Sequence, residues 1–417
     1  MMVEPMPLSD TAVHVPFATM GVFLIVACLI AIVTRRFGWP YTVGLVAAGV
    51  AIAFIPDLPA IPLSRDLIFY VLLPPLVFEA ALQLEWKPFR RELPVTLLLA
   101  FAGVALAASI VAAGMHWLVG WSWLGAALFG VLIAATDPVS VIASFRELKV
   151  QPRLSMMVES ESLLNDGVAA VGFVVLAAIA AGQSATVATV VPAFLWTLFG
   201  GAAIGALIAV AVLAIAGRTA DHLVEITLTT LGAYASFLIA EQVHASGVLA
   251  SLTAGLVIGN VGRLGAIDGC NEDNVRDAWE YFAFLANSFV FLLIGVHEAS
   301  QPLHQLGWTV GAIAVLLVLV GRIVSVYPLA AIFRRSKLAI PLRYQHVMVW
   351  GGLRGALALA LALALPATVP ERLQIIVTAF LVVAFSIFVQ GLTMPWLIKR
   401  LDLGELPGPG ADASRPE

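Results

Sequence analysis

Apolar segments about as long as a membrane is thick recur along this chain. A helix needs about 20 apolar residues to cross the hydrocarbon core of a bilayer. Thirteen segments meet or approach that length, at roughly 17–34, 40–55, 66–84, 94–119, 122–146, 155–182, 187–216, 222–242, 246–262, 276–298, 305–333, 341–365 and 371–398. Only 12% of the 417 residues are charged, whereas soluble domains carry about 25%. The sequence therefore predicts an all-α polytopic membrane protein.

Basic residues are distributed unevenly between the predicted loops. If the N-terminus lies outside, 18 of the 22 Lys and Arg residues fall in cytoplasmic loops or the C-terminal tail, and only Arg65 and Arg372 fall outside. Cytoplasmic loops of membrane proteins carry such an excess. The asymmetry supports thirteen spans in a bacterial-type inner membrane, with the N-terminus outside and a short cytoplasmic tail at 401–417.

Six charged residues lie deep within the predicted spans, where one charge costs about 2.5–3.5 kcal/mol on insertion scales. They are Glu79, Asp137, Glu161, Asp166, Arg322 and Arg354. Charges at this depth mark ion pathways or buried pairs. Because a guanidinium does not lose its proton, Arg322 requires an anion. Glu161 is the preferred candidate, and Glu79 is the alternative.

Two predicted spans are interrupted near their centres. In 122–146, Pro138 follows Asp137 and removes a backbone donor. In 341–365, three glycines surround Arg354. Backbone breaks at membrane depth are tolerated where they line a cavity, and these two lie seven spans apart, so their segments run in opposite directions. The pattern predicts an inverted repeat, with spans 1–6 matching spans 8–13 and two discontinuous helices.

The segment 157–182 brings oxygen-bearing side chains to the depth of those breaks. Ser162 and Asp166 share one face of a helix, and Asp166 lies about 16 Å into a core about 30 Å thick. Carboxylates, hydroxyls and carbonyls suit a hard monovalent cation, and a proton competes for the same carboxylate. The spacing therefore predicts a site for cation–proton exchange. The candidate ligands are Asp166, Asp137, Ser162 and the backbone at Thr136.

Each helix break leaves the ends of two half-helices inside the membrane. The N-terminal ends carry partial positive charge and the C-terminal ends partial negative charge. Asp137 can offset the positive ends, and Arg354 can offset the negative ends. We therefore interpret Arg354 as an architectural residue rather than an ion ligand.

Three motifs, ATDPVSV, ESLLNDG and GGLRGAL, follow one another on the spans just described. Together they resemble the NhaP-type sodium/proton antiporters of the monovalent cation/proton antiporter superfamily, to which the animal sodium/hydrogen exchangers also belong. The resemblance covers nearly the whole chain. It implies an NhaA-like fold with two crossed broken helices, a core domain at about 94–182 and 305–398, a dimerisation domain from the remaining spans, and a homodimer.

The resemblance also assigns roles to individual residues. It implies an ion site at Thr136, Asp137, Ser162 and Asp166, with Glu79 nearby through water. It implies that Asn165 and Asp166 form the family's Asn-Asp pair, and that Glu161 and Arg322 form its structural ion pair. Relatives that move net charge carry a second Asp at the position of Asn165. The implied activity is electroneutral exchange of one Na⁺ or Li⁺ for one proton, without a cofactor.

Other functions stay open on the residues alone. A K⁺/H⁺ antiporter on the same scaffold is the nearest alternative, because oxygen ligands do not by themselves separate K⁺ from Na⁺. A cation channel would need a continuous pore and no obligatory proton. An intramembrane protease could use Asp137 and Asp166 as a dyad, but neither HExxH nor GxSxG occurs. No enzymatic activity and no nucleic-acid partner is predicted.

Overall fold

Helices are the regular secondary structure of the described part of the chain. The computed structural model describes residues 17–37, 40–54, 64, 66–182, 187–219, 221–262, 272–300 and 308–404. These residues contain no β-strand, so the predicted all-helical class is confirmed for them. Of the predicted tail 401–417, the residues from 405 onward lie outside the described residues.

The helices of the described residues are numbered here in chain order. They are α1 Phe17–Phe37, α2 Tyr41–Ile52, α3 Leu67–Gln83, α4 Trp86–Val119, α5 Trp123–Leu132, α6 Val139–Glu147, α7 Pro152–Ala180, α8 Ala188–Ala216, α9 His222–Gln242, α10 Gly247–Val261, α11 Glu272–Ser300, α12 Trp308–Ile332, α13 Leu342–Trp350, α14 Ala356–Leu363 and α15 Arg372–Arg400. Helices α3, α4, α8 and α15 each include π-helical turns.

Seven helices of the described residues are long and apolar enough to cross a membrane, namely α4, α7, α8, α9, α11, α12 and α15. Shorter apolar helices occupy the predicted segments at α1, α2, α3, α5 and α10. The exact number of spans therefore stays a prediction. Helix α4 begins at Trp86, earlier than the predicted start at 94. The prediction missed this start because the first two turns of the helix carry Lys87, Arg90 and Arg91 and lack an apolar pattern.

Both predicted breaks are present as pairs of half-helices. Helix α5 ends at Leu132 and α6 begins at Val139, directly after Pro138. Helix α13 ends at Trp350, and a non-helical stretch of glycine-rich backbone leads to α14. The backbone N–H of Asp137 donates to the Leu353 carbonyl over 2.8 Å. The two breaks therefore touch each other.

The most extensive helix contacts fall into two sets. In the first set, α11 packs on α2 and α3, α10 packs on α3, and α8 packs on α9 and α10. In the second set, α4 packs on α5, α7 and α12, while α12 packs on α13 and α15. Contacts of α7 with α3 and α10, and of α6 with α2, join the sets. Both broken helices belong to the second set, and the contacts of α6 and α7 place them beside the first.

Candidate ion-binding site

Asp137 lies at the point where the two breaks meet. Its Oδ1 accepts a hydrogen bond from the backbone N–H of Val139 over 3.0 Å, at the start of α6. Gly355 leaves room for the carboxylate, because a Cβ at that position would lie 2.6 Å from the Asp137 carboxyl carbon. One carboxylate thus faces the N-terminal end of α6 and the residue that precedes α14, where helix dipoles are positive.

Helix α7 docks on the first break through hydroxyl groups. Ser162 donates to the carbonyl of Thr136, and the Thr136 hydroxyl lies 3.2 Å from the Ser162 hydroxyl. The side-chain amide of Asn165 donates to the Thr136 hydroxyl over 3.3 Å. All three residues are buried. Their contacts fix the depth of α7 relative to the break and present several oxygen atoms at one place.

Asp166 lies one helical turn beyond Ser162 and has a free carboxylate oxygen. Its Oδ1 is buried and has no hydrogen-bond partner within the described ranges. A buried carboxylate oxygen without a donor is costly, so this atom is suited to receive a cation or a proton. Asp166 and Ser162, which were predicted to share one helix face, line the same cavity.

That cavity has a volume of about 600 Å³ and reaches the breaks from one end of the helices. Its inner wall includes Thr136, Asp137, Ser162 and Asp166. Its mouth is lined by exposed residues near the helix ends that the loop charges predict to be cytoplasmic, namely Arg146, Glu147 and Glu280. Glu159, in the second turn of α7, lines the wall between this mouth and the breaks. All five predicted ion-site residues, which are the four on the inner wall and Glu79, therefore line one cavity.

Glu161 and Arg322 are in contact in the buried interior. Arg322 Nη1 donates to Glu161 Oε1 over 2.7 Å, and the side chains of the pair are almost entirely shielded from solvent. Arg322 Nη2 donates to the Met348 carbonyl over 2.7 Å, and Asn165 donates to Glu161 over 3.2 Å. The guanidinium therefore satisfies a carbonyl in the last turn of α13 as well as its carboxylate.

Arg354 lies in the break between α13 and α14 and bonds to the break between α5 and α6. Its Nη1 donates to the carbonyls of Ala134 and Ala135 over 2.8 and 3.1 Å, just beyond the C-terminal end of α5. Arg354 is only 2% exposed. A buried guanidinium at a half-helix C-terminus offsets the partial negative charge of the freed carbonyls. These contacts are those that the predicted architectural role of Arg354 requires, and the role itself stays a prediction.

Glu79 belongs to a chain of polar contacts that the sequence patterns did not reveal. It accepts a hydrogen bond from the Gln83 amide, and Gln83 Oε1 accepts one from Arg146 over 3.1 Å. Arg146 Nη1 lies 3.6 Å from Glu280. The available signal was Gln83 itself, a polar residue one turn after a deep carboxylate.

The sequence matches the model of a known protein family over most of its length. The model of the sodium/hydrogen exchanger family, transmembrane part, matches residues 23–400. The chain belongs to the sodium/hydrogen exchanger family. The resemblance predicted from three motifs is thereby confirmed, and with its apolar helices this family member is an integral membrane protein.

Two relatives and one solved structure illustrate the similarity. The exchanger-family chain is 39% identical over 367 residues to the Na⁺/H⁺ antiporter ApNhaP of Aphanothece halophytica, covering 87% of this chain and 70% of that protein. It is 32% identical over 345 residues to the Na⁺/H⁺ antiporter NhaP of Pseudomonas aeruginosa, covering 80% of each. The sodium proton antiporter MjNhaP1 of Methanocaldococcus jannaschii has the same fold, with a TM-score of 0.76 at 18% identity over 92% of this chain and 98% of that chain.

Proposed function

We propose that this protein exchanges Na⁺, and also Li⁺, for H⁺ across the membrane. The observation that carries the proposal is the buried, unpartnered carboxylate oxygen of Asp166 on the cavity that contains Asp137, Ser162 and Thr136. These groups offer the oxygen ligands that a hard monovalent cation requires. The names of the relatives, which are Na⁺/H⁺ antiporters, support the same activity.

In the proposed cycle, Asp166 holds either the cation or the proton. Asp137 is the fixed counter-charge to the positive end of α6 and exchanges no proton in this cycle. Glu161 stays paired with Arg322. Asn165 has no proton to release. A single carboxylate that alternates between Na⁺ and H⁺ carries the same net charge in both directions, so the exchange is one for one and electroneutral.

The proposed membrane arrangement follows the sequence prediction. Thirteen spans form an NhaA-like inverted repeat in the inner membrane, with the N-terminus outside and the C-terminus in the cytoplasm. The second helix set, within about 94–182 and 305–398, is the core domain that carries the ion. The first set is the scaffold and forms the homodimer contact. Movement of the core against the scaffold exposes Asp166 to each side in turn, and no cofactor takes part.

The test uses purified protein in sealed vesicles that contain a pH-sensitive dye. After acid loading of the lumen, addition of Na⁺ or Li⁺ outside is expected to restore fluorescence because protons leave in exchange. A response to K⁺ alone would favour the K⁺/H⁺ alternative. Flux of ²²Na⁺ without any proton movement would indicate a channel and contradict the proposal.

A further inference from the structure

Arg146 lies at the mouth of the cavity, between the two sets of helices. It belongs to the last turn of α6, the half-helix that begins beside Asp137. Its guanidinium reaches Gln83 at the end of α3 over 3.1 Å and Glu280 on α11 at 3.6 Å. One side chain of the second set therefore contacts two helices of the first set.

The contact with Gln83 extends to Glu79. Gln83 has one amide group, whose oxygen accepts from Arg146 while its nitrogen donates to Glu79. Because the amide is planar, the position of its oxygen determines where its nitrogen points. Arg146 therefore selects the orientation in which Gln83 holds the Glu79 carboxylate, and that carboxylate lines the same cavity as Asp137 and Asp166.

We propose that Arg146 is a positioning residue for cation entry, which fixes the Glu79–Gln83 pair on the cavity wall and ties it to α11 through Glu280. The inference rests on the proposed cation exchange. It assigns to Arg146 a role that acts through Gln83 on Glu79, with no contact between Arg146 and the transported ion.

The charge of Arg146 opposes this role, which makes the direction of the effect diagnostic. Among the described residues that line the cavity, Arg146 is the basic one, and the acidic ones are Glu79, Asp137, Glu147, Glu159, Asp166 and Glu280. Removal of one positive charge from such a cavity attracts cations more strongly. An effect of charge alone therefore lowers the apparent KM for Na⁺, whereas loss of positioning raises it.

The experiment compares Gln83→Leu, Arg146→Gln and the double variant in proteoliposomes. Gln83→Leu removes the hydrogen bonds that link Arg146 to Glu79 without a change of charge. We expect each single variant to raise the apparent KM for Na⁺ about two- to fivefold, the scale of one exposed polar contact, with a smaller change in maximal rate. The apparent KM of the double variant is expected not to exceed that of Gln83→Leu, because Gln83→Leu already removes the linkage and the further loss of the Arg146 charge only attracts cations.

Several results separate the outcomes. Arg90→Gln, an exposed arginine outside the cavity lining, is the matched control and should leave KM unchanged. Arg146 and Glu280 side chains are 57% and 61% exposed, so the thermal midpoint in detergent should also stay unchanged. An unchanged or lower KM in Gln83→Leu or Arg146→Gln, or additive effects in the double variant, would overturn the inference. Absence of Na⁺/H⁺ exchange by the wild type would instead contradict the proposed function.

Discussion

At the scale of single residues, Asp137 and Asp166 differ in what holds them. Asp137 is fixed by the Val139 N–H at the start of α6, and its own backbone N–H bonds to Leu353 across the break. Asp166 keeps one buried carboxylate oxygen without a partner in the described structure. A fixed carboxylate is suited to compensate helix charge, and a free one is suited to exchange ligands. For this reason the proposed cycle assigns different roles to the two aspartates of the cavity.

Gly355 offers a test of the space around Asp137. The Cβ of alanine at position 355 would overlap the Asp137 carboxylate. Gly355→Ala is therefore expected to displace that carboxylate and to lower the maximal exchange rate at least tenfold. The measurement is Na⁺-driven proton efflux from vesicles. Gly391→Ala is the control, because a Cβ there meets its nearest atom at an ordinary 3.5 Å. Equal rates for both variants would mean that the Asp137 position does not matter.

At the scale of elements, the two breaks are stabilised by side chains from other helices. Arg354 bonds to the carbonyls after α5. Arg322 bonds to Met348, and the amide of Gln390 on α15 bonds to the Trp350 carbonyl over 3.0 Å. Carbonyls freed by a broken helix are costly in a membrane unless the protein satisfies them. The breaks therefore depend on α12 and α15 as well as on their own Pro and Gly residues.

The Glu161–Arg322 pair is expected to hold α7 against α12 and α13. Removal of one partner leaves the other buried and unpaired, which typically costs about 3–5 kcal/mol. Glu161→Ala and Arg322→Ala should each lower the thermal midpoint in detergent. The double variant should lose less stability than the sum of the two single losses. Strict additivity in this double-mutant cycle would show that the pair contributes no interaction energy.

The sequence predicted the positions of the two backbone breaks better than the side chains that bond at the site. Pro138 after Asp137 and the glycines around Arg354 predict breaks, because each changes the backbone locally. The amide of Gln390 and the guanidinium of Arg146 gave no such signal, since their partners lie far away in the sequence. Similarly, the first turns of α4 are polar in sequence, but Glu92 there is buried in an ion pair with Arg153 at 2.9 Å.

For the whole molecule, the proposed cycle predicts that no net charge crosses the membrane. In that cycle, one carboxylate carries either Na⁺ or H⁺, so the loaded core is equally charged in both crossings. The membrane potential, which is worth about 2.3 kcal/mol per charge per 100 mV, then does no work on the cycle. The presence of Asn165 rather than an acid next to Asp166 is the residue-level reason for this expectation.

Electroneutrality predicts that voltage leaves the equilibrium Na⁺ ratio unchanged. Proteoliposomes are clamped with valinomycin and K⁺ gradients at a fixed pH difference, and internal and external Na⁺ are measured at equilibrium. The expected ratio depends on the pH difference alone. A shift of the ratio with the imposed potential would show that a second charge moves, and the role given to Asn165 would be wrong.

Removal of the Asp166 carboxylate tests its proposed role as the group that exchanges Na⁺ for H⁺. Asp166→Asn keeps the size of the side chain but can hold neither an exchangeable proton nor a cation as a carboxylate does. The measurement is Na⁺-driven proton efflux from vesicles that hold equal amounts of variant and wild-type protein, each shown to be folded by its elution volume and thermal midpoint. We expect no efflux above that of empty vesicles for Asp166→Asn. Efflux at the wild-type rate would contradict the proposed role.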